Sequence, residues 1–571
     1  MVPSRRSRAK PVPINRNKFT TLPPYLSSLC SHLHPNGENH NHMFRKLITR
    51  KSSVLEATAV LAVASLVSRI FGLLRDRTLA AHFGAGDVTD AYFAAFKIPD
   101  LIFNLLILGA LSSAFIPIFT EYLHRNGENK EGAWSIVNSL VNIGVVALAV
   151  VLLLAAVFAP VLAQVVAPGF DPEKQALTIS LMRVMLLSPL FFGISNLAGG
   201  ILNSFRNFLA YAVAPIMYNF GIIVGVLWLV PKFGNIGLAY GVVLGAFMHM
   251  AIQLPGVYAL GYRYRFHFNW KHPALKKMAL LMVPRTLGIA VSQFNVVINT
   301  IIASTLAVGS VAVFNWADNL QSLPIGIFGI SFAIAVFPVL AEKYTLQKLG
   351  EFKDDFTRVL KQILFLIVPT MVLYWLLRAQ IVRLVLGAGH FGWEDTRFTV
   401  SVLAFMTFGM VAQATIPLLA RSFYALQDTK TPLIAGIIAL IVNVVSAVIL
   451  IPQLQVVGLG AALSISGLTN MLVLAIVLNR KLAGLPWKQI FVSLGKMVFG
   501  AVAMGGVGYL MLQVMSLIID THRFLGLFSQ TVVTIVVALL SYLVITKWLK
   551  LGEVNMIISP VKTLWMKVRK Q

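Results

Sequence analysis

The sequence predicts an all-α polytopic membrane protein. About fourteen transmembrane helices are expected, arranged as two parallel six-helix repeats around a central cavity, with two more helices at the C-terminal end. Three observations carry this. Of 571 residues, 57% are hydrophobic and 12% charged, where a soluble domain has about 25% charged; lipid disfavours charge and explains the shortfall. Apolar runs of about 20 residues, enough to cross a bilayer core, recur between residues 54 and 548. They are too long, and too free of period-two alternation, for barrel strands. Finally, the chain repeats itself. Pro117-Ile-Phe-Thr-Glu121 matches Pro338-Val-Leu-Ala-Glu342, and Pro231-Lys-Phe-Gly-Asn-Ile-Gly-Leu238 resembles Pro452-Gln-Leu-Gln-Val-Val-Gly-Leu459, both pairs at one and the same offset along the chain.

Residues 1–42 are basic and hold one acid, Glu38. A targeting peptide has this composition, but a disordered basic extension ahead of Met43 is expected. The predicted spans are 54–82, 88–122, 133–160, 176–203, 209–230, 236–260, 275–307, 311–341, 357–386, 397–425, 431–451, 456–478, 489–516 and 524–547. Loop charge alternates along them. Arg45, Lys46, Arg50 and Lys51 precede the first span, whereas the loops at 82–88, 307–311 and 451–456 have no Lys or Arg. The loop at 261–277 carries Arg263, Arg265, Lys271, Lys276 and Lys277, and the tail ends with Lys562, Lys567, Arg569 and Lys570. Arg378, Arg383 and Arg397 are the weaker case. This pattern places both termini in the cytoplasm. Six spans separate equivalent repeat positions, so the repeats run parallel about an axis along the membrane normal. The expected division is 1–42 extension, 43–260 N-lobe, 261–480 C-lobe, 481–550 two added helices and 551–571 basic tail. The net charge of +26 would suggest nucleic acid in a soluble protein; here orientation accounts for it, and no nucleic acid partner is expected. The single cysteine, Cys30, excludes an intramolecular disulfide and a cysteine-rich metal site.

The chemistry-bearing residues start in SLVSRIFGLLRDRTLAAHFG, residues 65–84. A lipid-facing Arg69 would cost several kcal/mol, so it is expected to face a wet cavity between the halves, or else to pair with a carboxylate on another span. Arg69 and Arg75 are six residues apart, about 600° around a helix, and share no face unless the helix bends, for which Gly72 is placed. Arg75, Asp76 and Arg77 lie nearer the bare-loop end, where interfacial snorkelling competes with function. Cavity arginines suit an anionic substrate, because the planar fork pairs bidentately with phosphate or carboxylate. Asp90, Lys97 and Asp100 suggest a charge network, although Asp90 also fits a solvated helix start. Pro99 predicts a kink after Lys97. In the second half Arg285 fits snorkelling and substrate contact equally, and Asp318 lies deeper. Gln293, Asn295 and Asn299 suit hydrogen bonds between helices better than cation coordination. Neither HExxH nor GxxxxGK[ST] occurs, and His82, His249, His267 and His390 lack metal spacing, so no enzyme chemistry is expected.

Ser68-Arg69-Ile-Phe-Gly72, Arg75-Asp76, Phe83-Gly-Ala-Gly86, Thr89-Asp90-Ala-Tyr-Phe93 and Lys97-Ile-Pro99 together resemble the MurJ/MviN lipid II flippase family, within the multidrug/oligosaccharidyl-lipid/polysaccharide exporter superfamily. APGF at 167–170, VSQFNVVINTIIAS at 291–304, WAD at 316–318 and QDTKTP at 427–432 agree, and the likeness covers about residues 44–550. The resemblance implies two six-helix lobes, with the added helices shaping a lipid groove. It implies transport of undecaprenyl-pyrophosphate-linked disaccharide-pentapeptide from the cytoplasmic to the outer leaflet of a bacterial inner membrane by alternating access. A monomer without a bound cofactor, driven by membrane potential or an ion gradient, is expected, with membrane lipids as its other partners. Ser68 stands in the motif, and Arg69, Arg75, Asp76 and Asp90 match functional positions. The chain diverges where the family usually has charge: Phe103, Leu108 and Asn319 replace arginine, glutamate and arginine. Arg285 offers a compensating cation. Alternatively, the divergence marks an exporter of another lipid-linked oligosaccharide or of a small molecule.

Overall fold

A computed structural model describes residues 54–108, 111–125 and 131–556. The expectations for residues 1–42 and for the basic end of the tail lie outside the described residues. Helix α1 (Val54–Phe83) runs through Gly72, which does not interrupt it. Helix α2 (Asp87–Ile102) leads through a π turn (Phe103–Leu108) toward α3 (Leu111–Arg125). Then come α4 (Glu131–Val157), α5 (Ala159–Val166), α6 (Pro172–Met185), α7 (Ser188–Ser204) and α8 (Leu209–Val224). Short α9 (Val230–Phe233), α10 (Gly237–Ala251) and α11 (Leu254–Ala259) complete the first half.

The second half repeats the plan. It comprises α12 (Pro273–Ser304), α13 (Ser310–Pro324), a π turn (Ile325–Ile330), α14 (Ser331–Thr345), α15 (Leu349–Leu376), α16 (Arg378–Val385), α17 (Trp393–Phe408), α18 (Met410–Ala425), α19 (Lys430–Leu454) and α20 (Val456–Lys481). The added pair is α21 (Trp487–Ile518) and α22 (Phe524–Trp548). No strand occurs among the described residues. Length and apolarity alone qualify nine of their helical stretches as membrane spans, or ten if the bent pair α17–α18 is one span, rather than fourteen. Part of the difference has a plain cause: the stretch 209–259 counts once although it doubles back.

The backbone carries the repeat more faithfully than the side chains do. A third π turn, Gly225–Leu229, has no counterpart in the second half, whereas those at Phe103 and Ile325 start within one residue of positions that the repeat brings into correspondence. Each follows a proline, Pro99 or Pro324, which lacks the amide for the carbonyl one turn back and crowds it. The carbonyl freed by Pro324 belongs to Leu320, and the Tyr374 hydroxyl donates to it at 3.2 Å. Left-handed residues recur at the offset of the sequence repeat: Arg206 and Gln427 both have φ 58°, and Gly234 (φ 67°) corresponds to Gln455 (φ 50°). The second of the first pair explains QDTKTP. After Gln427 turns the chain, Asp428 accepts from the Lys430 and Thr431 amides, each at 3.0 Å, and pairs with Lys481. Partial burial pushes the Asp428 carboxyl up, but Lys481 and Thr431 outweigh it and hold it at about 2.

At Gly234 the chain reverses, and α8 packs against α10 through glycines spaced four apart. A Cβ on Gly221 would lie 2.3 Å from the Gly245 Cα, and one on Gly225 would lie 2.5 Å from the Gly241 Cα. Such close approach substitutes for the hydrophobic drive that lipid removes. Gly225→Val is therefore expected to lower the thermal midpoint of the detergent-solubilised protein, at the about 1–3 kcal/mol typical of overpacking. An unchanged midpoint would show that the hairpin tolerates separation.

One core spans both halves at the end that holds the bare loops 82–88 and 307–311. There Phe93 meets Trp316 edge-on at 5.7 Å and Trp316 meets Phe391 at 5.5 Å. The added pair docks on α15, where the Tyr542 hydroxyl donates to the Phe365 carbonyl at 3.1 Å. Large apolar side chains such as Leu153, Val448 and Val544 stay exposed on the outer surface, as lipid contact requires.

Candidate substrate site

Helix α1 sends its two predicted arginines to opposite halves, as their angular separation around the helix allows. Arg69 reaches the second half: its Nη1 donates to the Leu323 carbonyl at 3.1 Å. That carbonyl borders the π turn, and the guanidinium rests on Gly326, where a Cβ would lie 2.6 Å from Nη2. Arg69 thus sits in the seam between α1 and α13. No carboxylate pairs with it among the described residues. Arg75 turns into the first half, where it donates to Asp76 Oδ1 at 2.8 Å and to Asn219 Oδ1 at 3.2 Å. Asn219 Nδ2 in turn lies 3.5 Å from the Ser68 carbonyl, which is how Ser68 joins the group. Arg77 does not snorkel. It donates to the Leu384 carbonyl at 2.7 Å, lies 5.1 Å from the Phe524 ring centroid, and so caps the C-terminal end of α16.

On α2 and α13 the charges are nearly balanced. Lys97 donates to Asn315 Oδ1 at 2.8 Å and interacts with Asp100 and Asp318. Both aspartates are solvent-accessible. Asp76 accepts from Asn319 Nδ2 at 3.3 Å, at a position where an arginine would have made an ion pair. A cavity of about 1230 Å³ opens beside this group. It runs through the second half from Lys97 and Asp318, past Gln413 and Asn470, to Arg421 and Lys430 at the opposite, basic end. Lys97 and Asp318 therefore line the cavity, while Ser68, Arg69, Arg75 and Asp76 stand outside its wall. Arg69 does not line this cavity, because the Leu323 carbonyl beside the π turn draws it into the seam. The Arg285 side chain lies outside the described residues, as does that of Leu108. Phe103 packs on Phe192 at 5.0 Å.

Asp90 belongs elsewhere. It is 1% exposed, so the solvated reading fails. It accepts from the Gly309 and Ala312 amides at 2.8 and 2.9 Å, and so caps α13 from the other half. Lys174 pairs with it at 2.7 Å and with Asp87 at 2.9 Å. Asp395, the repeat counterpart of Lys174, accepts from the Ala85 amide at 3.1 Å across the same joint. The His390 amide donates to the Ala81 carbonyl at 2.9 Å. The halves are thus latched at the bare-loop end; toward the basic end α12 packs on α3, where Lys277 pairs with Glu121 at 3.3 Å. The sequence reading missed Lys174, Asn219, Asn315 and the Leu323 carbonyl. Lys174 alone left a signal, as the one cation in its loop. Asn295, Asn299 and Asn443 form an amide cluster joining α12 to α19, with Asn443 Nδ2 2.6 Å from Asn299 Oδ1. No group of three or more metal-binding side chains occurs among the described residues.

Two repeated helical halves latched at one end, with a cavity that runs from Lys97 and Asp318 through the second half to Arg421 and Lys430, define a multi-pass membrane transporter rather than an enzyme. The chain belongs to the lipid II flippase MurJ family, whose model matches residues 79–528. It is 30% identical over 469 residues to the probable lipid II flippase MurJ of Buchnera aphidicola, covering 81% of this chain and 91% of that protein. It is also 30% identical over 441 residues to the lipid II flippase MurJ of Burkholderia cenocepacia, covering 75% and 85%. Among solved structures it is similar to a lipid II flippase MurJ in the inward closed conformation, with a TM-score of 0.70, 25% identity and coverage of 86% and 98%. An inward-facing multidrug resistance transporter of the MATE family shares the fold, with a TM-score of 0.62 at 16% identity.

Proposed function

We propose that this chain flips a lipid-linked peptidoglycan precursor of the lipid II class, undecaprenyl-pyrophosphate-linked disaccharide-pentapeptide, across a bacterial inner membrane by alternating access. Membership of the family is the observation that carries the reading, and the cavity between Lys97 and Asp318 at one end and Arg421 and Lys430 at the other supports it. Loop charge orients the molecule with both termini and the Arg421 and Lys430 end of the cavity in the cytoplasm. The headgroup enters from that side. Releasing the Asp90 and Asp395 joints and closing the basic end would present it to the outer leaflet. Arg69, Arg75, Asp76, Lys97 and Asp318 are assigned to the headgroup path, Arg285 is a further candidate, and Ser68 and Asp90 hold its framework. Because Arg75 is matched by Asp76, and Lys97 faces two aspartates, Arg69, which holds only a backbone carbonyl, is the cation of this group freest to donate to pyrophosphate oxygens. The chain acts as a monomer among membrane lipids without a bound cofactor. A potential negative inside favours outward movement of an anionic lipid by about 2.3 kcal/mol per charge per 100 mV.

The second reading, export of another lipid-linked oligosaccharide, is favoured by one observation: Phe103 and Asn319 remove cations that the family usually carries. Complementation separates the two. Residues 43–571 are expected to restore growth to a bacterium depleted of its own lipid II flippase. A well-inserted chain that fails to do so would move the assignment to a different lipid-linked substrate.

A further inference from the structure

The segment joining the two halves, residues 261–272 (GYRYRFHFNWKH), contains no regular helix from Arg263 to Asn269. It lies as an extended strap across α4. Asn138 and Asn142, one turn apart, hold it there. Asn138 Oδ1 accepts from the Tyr262 hydroxyl at 2.8 Å and from the Arg265 amide at 3.3 Å. Asn142 Oδ1 accepts from the Tyr264 hydroxyl at 2.7 Å, and its Nδ2 donates to the His267 carbonyl at 2.9 Å. The two amides do for this backbone what a neighbouring strand would do, which irregular chain near hydrocarbon requires. The depth is legible on α4 itself: beyond Gly144 its sequence is unbroken VVALAVVLLLAAV, so the asparagines mark where the helix enters the apolar layer.

An extended chain alternates its faces. Phe266 and Phe268 fall on one, exposed by 80% and 50%, and Arg263, Arg265 and His267 on the other. In the turn that follows, Trp270 is 70% exposed and the Lys271 ammonium lies 5.6 Å from its ring centroid. Between residues 261 and 277 there are five Lys or Arg and no acid. Aromatic rings on one side and cations on the other match the two layers of a lipid interface. The chain's own termini do not suit as occupants. Residues 557–571 are basic without an acid, and residues 1–53 hold one acid among many cations, so both are repelled.

We propose that this strap is a binding surface for anionic phospholipid headgroups, with its aromatic face in the acyl boundary and Arg263, Arg265 and Lys271 on the phosphates. As the covalent link between the repeats, it would tether the pivot of the rocking motion to the lipid surface. The inference rests on the chain being a membrane transporter, not on which substrate it carries.

The test uses the full chain with Cys30→Ser and Phe266→Cys, labelled with an environment-sensitive fluorophore, in nanodiscs that expose both leaflets. Spin-labelled phosphatidylglycerol is expected to quench the label about fivefold more effectively than spin-labelled phosphatidylcholine at equal mole fraction. In the Arg263→Gln, Arg265→Gln, Lys271→Gln variant the ratio should fall to about 1. Equal quenching by both lipids in the parent protein would overturn the proposal, as would a label quenched by aqueous iodide and by neither lipid. A second label at Phe268→Cys guards against a local effect of the first. Because the readout is lipid contact, it stands or falls separately from complementation.

Discussion

Arg69→Ala is expected to abolish rescue of a bacterium depleted of its lipid II flippase, at unchanged membrane expression. The expectation rests on what Arg69 lacks. Arg75 is held by Asp76, Lys97 faces Asp100 and Asp318, and Lys174 is held by Asp90 and Asp87. Arg69 instead donates to a backbone carbonyl. A neutral acceptor gives a weaker bond than a phosphate oxygen does, so a pyrophosphate can win the guanidinium without separating an ion pair. Arg69→Lys is expected to rescue poorly, since an ammonium keeps the charge but loses the planar fork. Full rescue by Arg69→Ala would make the residue a fastener of α1 to α13 and no more. Full rescue by lysine with none by alanine would mean that charge suffices and bidentate geometry does not matter.

Asp90→Asn is expected to loosen the latch between the halves. It leaves the Lys174 ammonium, 5% exposed, with the more exposed Asp87 as its carboxylate partner and the Phe170 ring 4.3 Å away. It also weakens the cap on α13, because the amide offers one oxygen where the carboxylate used two. Breaking a buried pair costs about 3–5 kcal/mol, which here falls on the latched state. The readout is a buried position at the joint, Val311→Cys in a Cys30→Ser background, probed with a membrane-impermeant maleimide. Labelling should rise at least tenfold in the Asp90→Asn protein, and adding Lys174→Met should reverse part of the rise by removing the stranded charge. The exchange Asp90→Lys with Lys174→Asp separates the two roles, since it restores the pair and not the cap. If Asp90→Asn leaves labelling unchanged, the joint is held without it, by the apolar core around Phe93, Trp316 and Phe391 and by the Asp395 and His390 contacts.

The sequence by itself determined the all-helical class, the internal repeat and the different faces that Arg69 and Arg75 take on an unbent helix. Each depends on properties written locally: apolar length, a shared offset, and the fixed angle per residue of a helix. Gly72 shows the limit of such reading, since a residue that permits a break in a helix does not impose one. The partners were decided by tertiary structure. The acceptor of Arg69 is a carbonyl 254 residues away, beside a π turn that follows a proline. Asp90 fitted a charge network and a solvated helix start equally; it pairs with Lys174 and caps a helix in the other half, because the joint that buries it is made from both repeats. Asn319 and Phe103 were visible as missing charges. Only the packing showed what took their place: a neutral hydrogen bond to Asp76 and an aromatic contact with Phe192. Composition and periodicity are summed along a chain, whereas the pairing of a buried charge depends on which distant segment arrives beside it.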